Sequence, residues 1–349
     1  MNRAAFLRLL AVAPFAGWPP LLHAGEAQAA ARSRAILWLV SRQSEDGAWR
    51  SETYGAFRDG RALTPVVLRA LAGSVEAADA CRKAAAWITG QGAAVFEEYP
   101  VHHAAAILEA AKDCEGLEAP VALAKQKLLE LRCPRTGGWS YSTVPIPASG
   151  DLAPMQQANL SATAMALDGL KAAGQVDADL FAKALGFLGG CQNFGTGEGA
   201  FDDGGFFQMP DDPARNKAGS AGEDGRGVVR YLSYASATAD GLRAILHAGE
   251  PLDSPQVRAA VKWLEGFTWS AAGGKNAPAD LCYYTARSLR KTAGICPELG
   301  KGCERIRPLL EGAQGRDGSW WNAAAEMRED CPVVATALAV EALAGSARL

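Results

Sequence analysis

His102 and His103, preceded by Glu97 and Glu98, form the one histidine cluster of the chain. A carboxylate beside an imidazole is what a general base requires; the competing reading is a surface loop carrying two adjacent histidines. Paired carboxylates occur at Asp202-Asp203, before two glycines, and at Asp211-Asp212, before Pro213. Such pairs can hold Ca²⁺ or serve as acid and base, but their spacing matches no EF-hand loop. Asp before Gly or Pro is ordinary turn chemistry, so a solvated loop is the expectation. Eight cysteines complete the reactive set, and their meaning depends on compartment, because disulfides persist only in oxidising surroundings.

The compartment is read from the N terminus. Arg3 and Arg8 give a positive start, Leu9 to Leu22 is apolar but broken by Pro14, Pro19 and Pro20, and Ala27-Gln28-Ala29 is a small-residue cleavage site. Together these make a secretory signal, with cleavage near Ala29 and a periplasmic or secreted product. The two arginines are not adjacent, which argues against a twin-arginine signal. The apolar stretch is too short and interrupted to span a bilayer, and no later stretch is long enough. Residues 30–349 are expected to form a single domain. At 349 residues and 49% hydrophobic, the chain has ample apolar surface for a large core, which excludes disorder and disulfide-only scaffolds. A net charge of −3 provides no electrostatic footprint for nucleic acid.

The elements that position these residues follow from an internal repeat. Gln43, Gly47 and Trp49, and again Gln314, Gly318 and Trp320, fit Q-x-x-x-G-x-W at opposite ends of the chain. A third copy keeps Gly137 and Trp139 but has Cys133 in place of the Gln. Weaker copies are placed at Gln91, at Gln192 running to Gly199 and Phe201, and near Phe267 and Trp269. Six copies give a period of roughly 53 residues, the size of a supersecondary repeat. Each is flanked by runs at helical spacing: 31–43, 76–91, 120–131, 178–192, 255–267 and 303–314 before it, and 62–72, 101–112, 159–173, 232–248, 280–293 and 332–344 after it. The second set ends repeatedly in Gly (Gly73, Gly174, Gly249, Gly294, Gly345), a helix stop. In the motif, Gly lets the backbone reverse, the aromatic packs on the helix end just left, and Gln satisfies a neighbouring helix end. Twelve helices in six hairpins predict an all-α (α/α)6 toroid, with the Ala-rich helices inside.

With these motifs the chain resembles the squalene-cyclase and protein-prenyltransferase repeat superfamily, over roughly residues 31–345. The stretch from Gly137 through Gly150 to Leu170 is similar to exported bacterial members without an assigned reaction. The resemblance implies a ligand site in the central cavity. It does not supply chemistry. Where class II terpene cyclases carry an acidic D-x-D-D motif, this chain has Asn159-Leu160-Ser161-Ala162. Asp280-Leu281-Cys282 matches the first half of a prenyltransferase zinc site, but no His follows His247, so the third ligand is missing and no metal or cofactor is expected.

In such a barrel the inner helices all begin at one mouth. That gathers His102, His103, Asn159, Ser161, Tyr231, Tyr234, Asp280, Tyr283, Tyr284, Glu329 and Asp330 as candidate ligand contacts, with helix capping as the alternative for each. The long connection 193–230 could lie over that mouth as a lid. Helix ends also suggest four cysteine pairs, Cys81 with Cys114, Cys133 with Cys191, Cys282 with Cys331 and Cys296 with Cys303; buried free thiols are the alternative. Arg287, Arg290 and Lys291 on the fifth inner helix could meet a diphosphate, or could simply be surface charges. The expected ligand is an apolar, isoprenoid-like small molecule, bound or transformed. The alternatives are a scaffold for a protein partner and a polysaccharide-active (α/α)6 enzyme.

Overall fold

The computed structural model describes residues 24–345 except 176, 211, 213, 269–281, 324 and 326. The signal-peptide expectation therefore falls almost wholly outside the described residues, as do Asp280, Asp211 and Trp269. Six outer helices, α1 (Ala24–Ser41), α3 (Ala78–Gln91), α5 (Glu118–Glu130), α7 (Ala178–Gly189), α9 (Pro255–Glu265) and α11 (Gly300–Gly312), alternate with six inner ones. The inner helices are α2 (Thr64–Leu71), α4 (Pro100–Ala110), α6 (Leu160–Ala172), α8 (Ala235–His247), α10 (Cys282–Ile295) and α12 (Pro332–Ala342). Each inner helix packs on the next, and α12 returns to α2, so the ring is closed. This is the predicted (α/α)6 toroid. Two departures are local: α10 runs through Gly294 instead of stopping there, and β1 (Ser220–Glu223) pairs antiparallel with β2 (Val229–Tyr231) in the long connection. No described helix is long and apolar enough to cross a membrane.

The repeated turn shows why the hairpins close into a ring. The Gln43 amide donates to the carbonyls of Gly47 (2.9 Å) and of Ala80 in the next outer helix (2.8 Å). The Trp49 indole donates to Leu39 at the end of α1 (2.7 Å), and its backbone N–H donates to Thr64 Oγ1 at the start of α2 (3.0 Å). One motif thus ties an outer helix end, an inner helix start and the next hairpin together. Gln314 repeats this with Gly318 (2.8 Å) and with Ala31 (2.9 Å), clipping the last hairpin to the first outer helix. Trp139 and Trp320 bond Thr163 and Thr336 in the same way.

The fourth copy differs from the expected one. Gln192 donates to Gly204 (3.0 Å) and to Gln256 of α9 (2.9 Å), and Phe206 donates its N–H to Thr238 (3.0 Å). Gly204 and Phe206 therefore hold the places assigned from spacing to Gly199 and Phe201. An insertion inside the motif displaced its Gly and aromatic from their usual distance to the Gln.

No disulfide joins any of the eight cysteines. The Cys81 and Cys114 thiols lie within hydrogen-bonding reach of each other, with Cys114 Sγ 3.8 Å from the Cys81 carbonyl. Elsewhere the sulfurs are held by other groups: Cys282 by Glu329 and Asn322, Cys331 by Ser51, Cys303 by the Leu289 carbonyl. Cys133 sits in a small separate cluster with Ile146 and Ala158, whereas Cys191 and Cys296 belong to the main core.

Candidate functional site

The inner helices are rich in Ala and Gly and cross closely; a Cβ on Gly169 of α6 would lie 2.7 Å from the Ala105 Cα of α4. Side chains this small leave space along the barrel axis, and the two halves of the axis use it differently.

At the end where the inner helices finish, each contributes long charged side chains. Arg69 of α2 pairs with Glu341 of α12 (2.8 Å), which also accepts from Arg287 of α10 (2.7 Å). Lys291 of α10 reaches across the axis to Glu109 of α4 and Asp168 of α6, both at 2.6 Å. Asp168 also accepts from Arg243 of α8 (2.9 Å), which bonds Asp240 (2.7 Å). Burial alone would raise the Asp168 carboxyl, but Arg243 and Lys291 override it and hold it well below the usual carboxylate range. Burial is likewise overridden at Glu341, where Arg287, Arg69 and Lys291 bring the pKa to about 2. The surface-charge reading of Arg287, Arg290 and Lys291 is thus corrected: all three are buried, at 0%, 4% and 8% exposure. A smaller cavity of about 310 Å³ lies on the far side of this ionic layer.

At the opposite mouth the axis is open, forming a cavity of about 720 Å³. Phe57, Leu63, Val66, Met165, Val334 and Leu338 supply much of its apolar wall. His102 faces it and stacks on Tyr141, ring centroids 5.6 Å apart. Burial, followed by His103, Arg69 and Arg287, lowers the His102 pKa to about 3, so its ring is neutral at pH 7. His103 lines the same wall and is fixed by its Nδ1–H donating to the Val95 carbonyl (2.7 Å); burial lowers it to about 4. The two histidines therefore begin an inner helix, not a surface loop. Glu97, the carboxylate expected beside them, pairs instead with Arg61.

Tyr284 also lines the cavity, donating to Asp240 (2.6 Å), with burial and then Asp240 raising its phenol well above the usual value. Ser161 is in the wall, bonded to Tyr141 (2.8 Å) and Gln208 (2.9 Å).

The other candidates stand behind the wall. Asn159 caps α6, accepting from the Ala162 N–H (3.0 Å), and Tyr234 donates to Gln208 of the wall (3.2 Å). Tyr231 packs on Phe207, and Tyr283 donates to the Trp321 carbonyl (3.2 Å). Glu329 caps α10 through the N–H groups of Tyr283 and Tyr284. Asp330 holds the Tyr54 hydroxyl, and Arg328 lies 4.1 Å over the Tyr54 ring.

The long connection does reach the mouth, where residues 214–217 and Gly219 line the cavity. Its acids are structural: Asp203 accepts from Ser233 and Trp263, Asp202 from the Thr196 N–H, and Asp212 pairs with Arg215. Sequence reasoning missed Tyr141, Gln208, Arg69, Arg215, Lys217 and Arg328. The only signal for Arg69 was a charged residue within an otherwise apolar inner helix.

No family model and no curated protein matches the chain. Among solved structures, a variant of the type II terpene cyclase MstE from Scytonema, in complex with geranylgeranyl dihydroxybenzoate, aligns at TM-score 0.59 and 13% identity, covering 91% of this chain and 96% of its own. The GH76A α-1,6-mannanase from Salegentibacter sp. HEL1_6 aligns at 0.60 and 10%, covering 90% and 99%. Dfg5 from Chaetomium thermophilum, in complex with glucosamine, aligns at 0.55 and 13%, covering 91% and 89%. At such identities the likeness is one of fold. The chain is an (α/α)6 toroid, the same ring that carries a cyclase and a mannanase in those proteins.

Proposed function

We propose that the protein binds an apolar, isoprenoid-like chain in its central cavity, as an exported protein released by cleavage near Ala29. The observation that carries this reading is the cavity itself. At about 720 Å³ it has the size of a small-molecule site, its wall is mostly apolar, and the ionic layer closes its inner end. The MstE neighbour, whose ligand has a geranylgeranyl chain, uses the same ring. The reading is of binding, not of acid-catalysed cyclisation: no carboxylate lines the cavity among the described residues, and Asn159, Ser161 and Ala162 stand at the acid positions of the motif. Sugar hydrolysis is disfavoured on the same ground, since glycosidases work with two carboxylates flanking the bond.

Organic extraction of the native purified protein followed by mass spectrometry tests the proposal. A polyisoprenoid recovered in stoichiometric amount is the expected result. Protein that yields no lipid and takes up no added geranylgeraniol would overturn it. N-terminal sequencing of the exported fraction checks the cleavage site.

A further inference from the structure

We propose that the cavity takes its ligand head first: a carboxylate on an apolar chain seats against the Arg287 guanidinium at the floor, and the chain runs outward to the mouth. This rests on the cavity being the ligand site.

Three observations converge. Every charged side chain in the described lining, apart from the histidines, is basic: Arg69, Arg215, Lys217, Arg287 and Arg328. The acids that neutralise the floor, Glu341, Glu109 and Asp168, lie in the ionic layer beyond the wall.

Second, Arg287 is wholly buried in the cavity floor and only partly used. Its Nε donates to Glu341 (2.7 Å), while Nη1 and Nη2 have no hydrogen-bond partner. A guanidinium carries five N–H donors, and buried donors in native proteins are nearly always satisfied. An open pair of Nη groups is the half of the fork that a planar carboxylate meets.

Third, two basic groups at the rim are already engaged. Arg215 pairs with Asp212 and donates to the Pro154 carbonyl (2.6 Å), and Arg328 covers the Tyr54 ring. His102, in the wall near Arg69 and Arg287, supplies a neutral ring that can share the head. One open fork beside balanced ion pairs suits a single negative charge. A diphosphate would bring more charge than this floor has free donors to meet.

The test is calorimetric titration of delipidated protein with farnesoic acid, farnesol and hexadecanoic acid. Farnesoic acid is expected to bind about 10- to 100-fold more tightly than farnesol, the range for charge-assisted hydrogen bonds. Arg287→Gln should abolish that preference, whereas Arg258→Gln, an exposed arginine of α9, should keep it. Hexadecanoic acid matching farnesoic acid would support the carboxylate seat and identify a straight-chain source. Equal binding of acid and alcohol by the unmodified protein, a comparison that needs no variant to fold, would overturn the head-first seat and leave the cavity reading standing. Binding of none of the three would overturn both.

Discussion

Alanine at Gly204 is expected to destabilise the protein by about 3 kcal/mol, while alanine at Gly199, five residues earlier, should cost nothing. Gly204 has φ +84°, a conformation that costs an L-residue about 1–2 kcal/mol. A Cβ there would lie 2.7 Å from both the carbonyl oxygen and the Cβ of Ala259, so helix α9 itself would have to move. Overpacking of that kind costs about 1–3 kcal/mol. Stiffening the unfolded chain returns about 0.4–1 kcal/mol, which leaves a loss near 3. At Gly199 neither penalty applies, because nothing lies within 4 Å of the added Cβ and φ is not in the left-handed range. Far-UV circular dichroism during heating reads the difference. A domain of 150–250 residues shifts about 2–4 °C per kcal/mol and a longer one less, so Gly204→Ala should melt about 5 °C lower. Equal shifts, or a larger one at Gly199, would refute the assignment of the fourth turn to Gly204 and Phe206.

Acid should destabilise the fold in two windows. His103 is held near pKa 4 in the fold against 6.5 when unfolded, so the unfolded chain gains its proton first and stability falls as pH drops from about 6.5 toward 4. That amounts to about 2 kcal/mol between pH 7 and pH 5, and His102, held near 3, adds a similar loss, about 4 kcal/mol in all, read as a lower urea midpoint; a flat midpoint over that range contradicts it. Glu341, depressed to about 2 from 4.5, adds its own loss only as pH falls below about 4.5. Asp168→Asn should lower stability by about 3–5 kcal/mol, because it strips charge from Arg243 and Lys291 in a buried network, and an unchanged urea midpoint would show that the ionic layer braces nothing. Under mild oxidant, peptide mapping should find Cys81 linked to Cys114 ahead of any other pair; a Cys282–Cys331 link appearing first would contradict the separate engagement of those two sulfurs.

The ring was legible because its determinants are local. Gln43-to-Trp49 and Gln314-to-Trp320 carry the whole turn within seven residues, and the helical spacing on either side is continuous. The fourth turn was misplaced because eleven residues separate Gln192 from Gly204, a distance that no spacing rule anticipates. Polar residues near inner-helix starts were gathered as one set, but local sequence does not separate a cap from a wall: Asn159 and Glu329 bond helix N–H groups, while Ser161 and His102 face the cavity. The ionic layer was invisible for a different reason. Arg69 meets Glu341 across 272 residues and Lys291 meets Glu109 across 182, and only closure of the ring brings them together. The hairpin of β1 and β2 gave little signal because β1 is short, glycine-containing and exposed.

Six helices closed around an axis leave more room than alanine can fill, and the two ends of this barrel meet that fact in opposite ways. Where the inner helices finish, their carbonyl ends favour positive charge. Arg69, Arg243 and Lys291 lie near those ends, and Glu109, Asp168 and Glu341 neutralise them. Long paired side chains thus fill that half and link helices that are not neighbours in the ring, as Lys291 of α10 does with α4 and α6. Where the helices begin, no such filling occurs, and medium-sized apolar residues line open space instead. The layer makes the cavity one-ended. A ligand seated as proposed would have residues 214–217, Gly219 and Arg328 beside it in the wall and Arg287 at the floor.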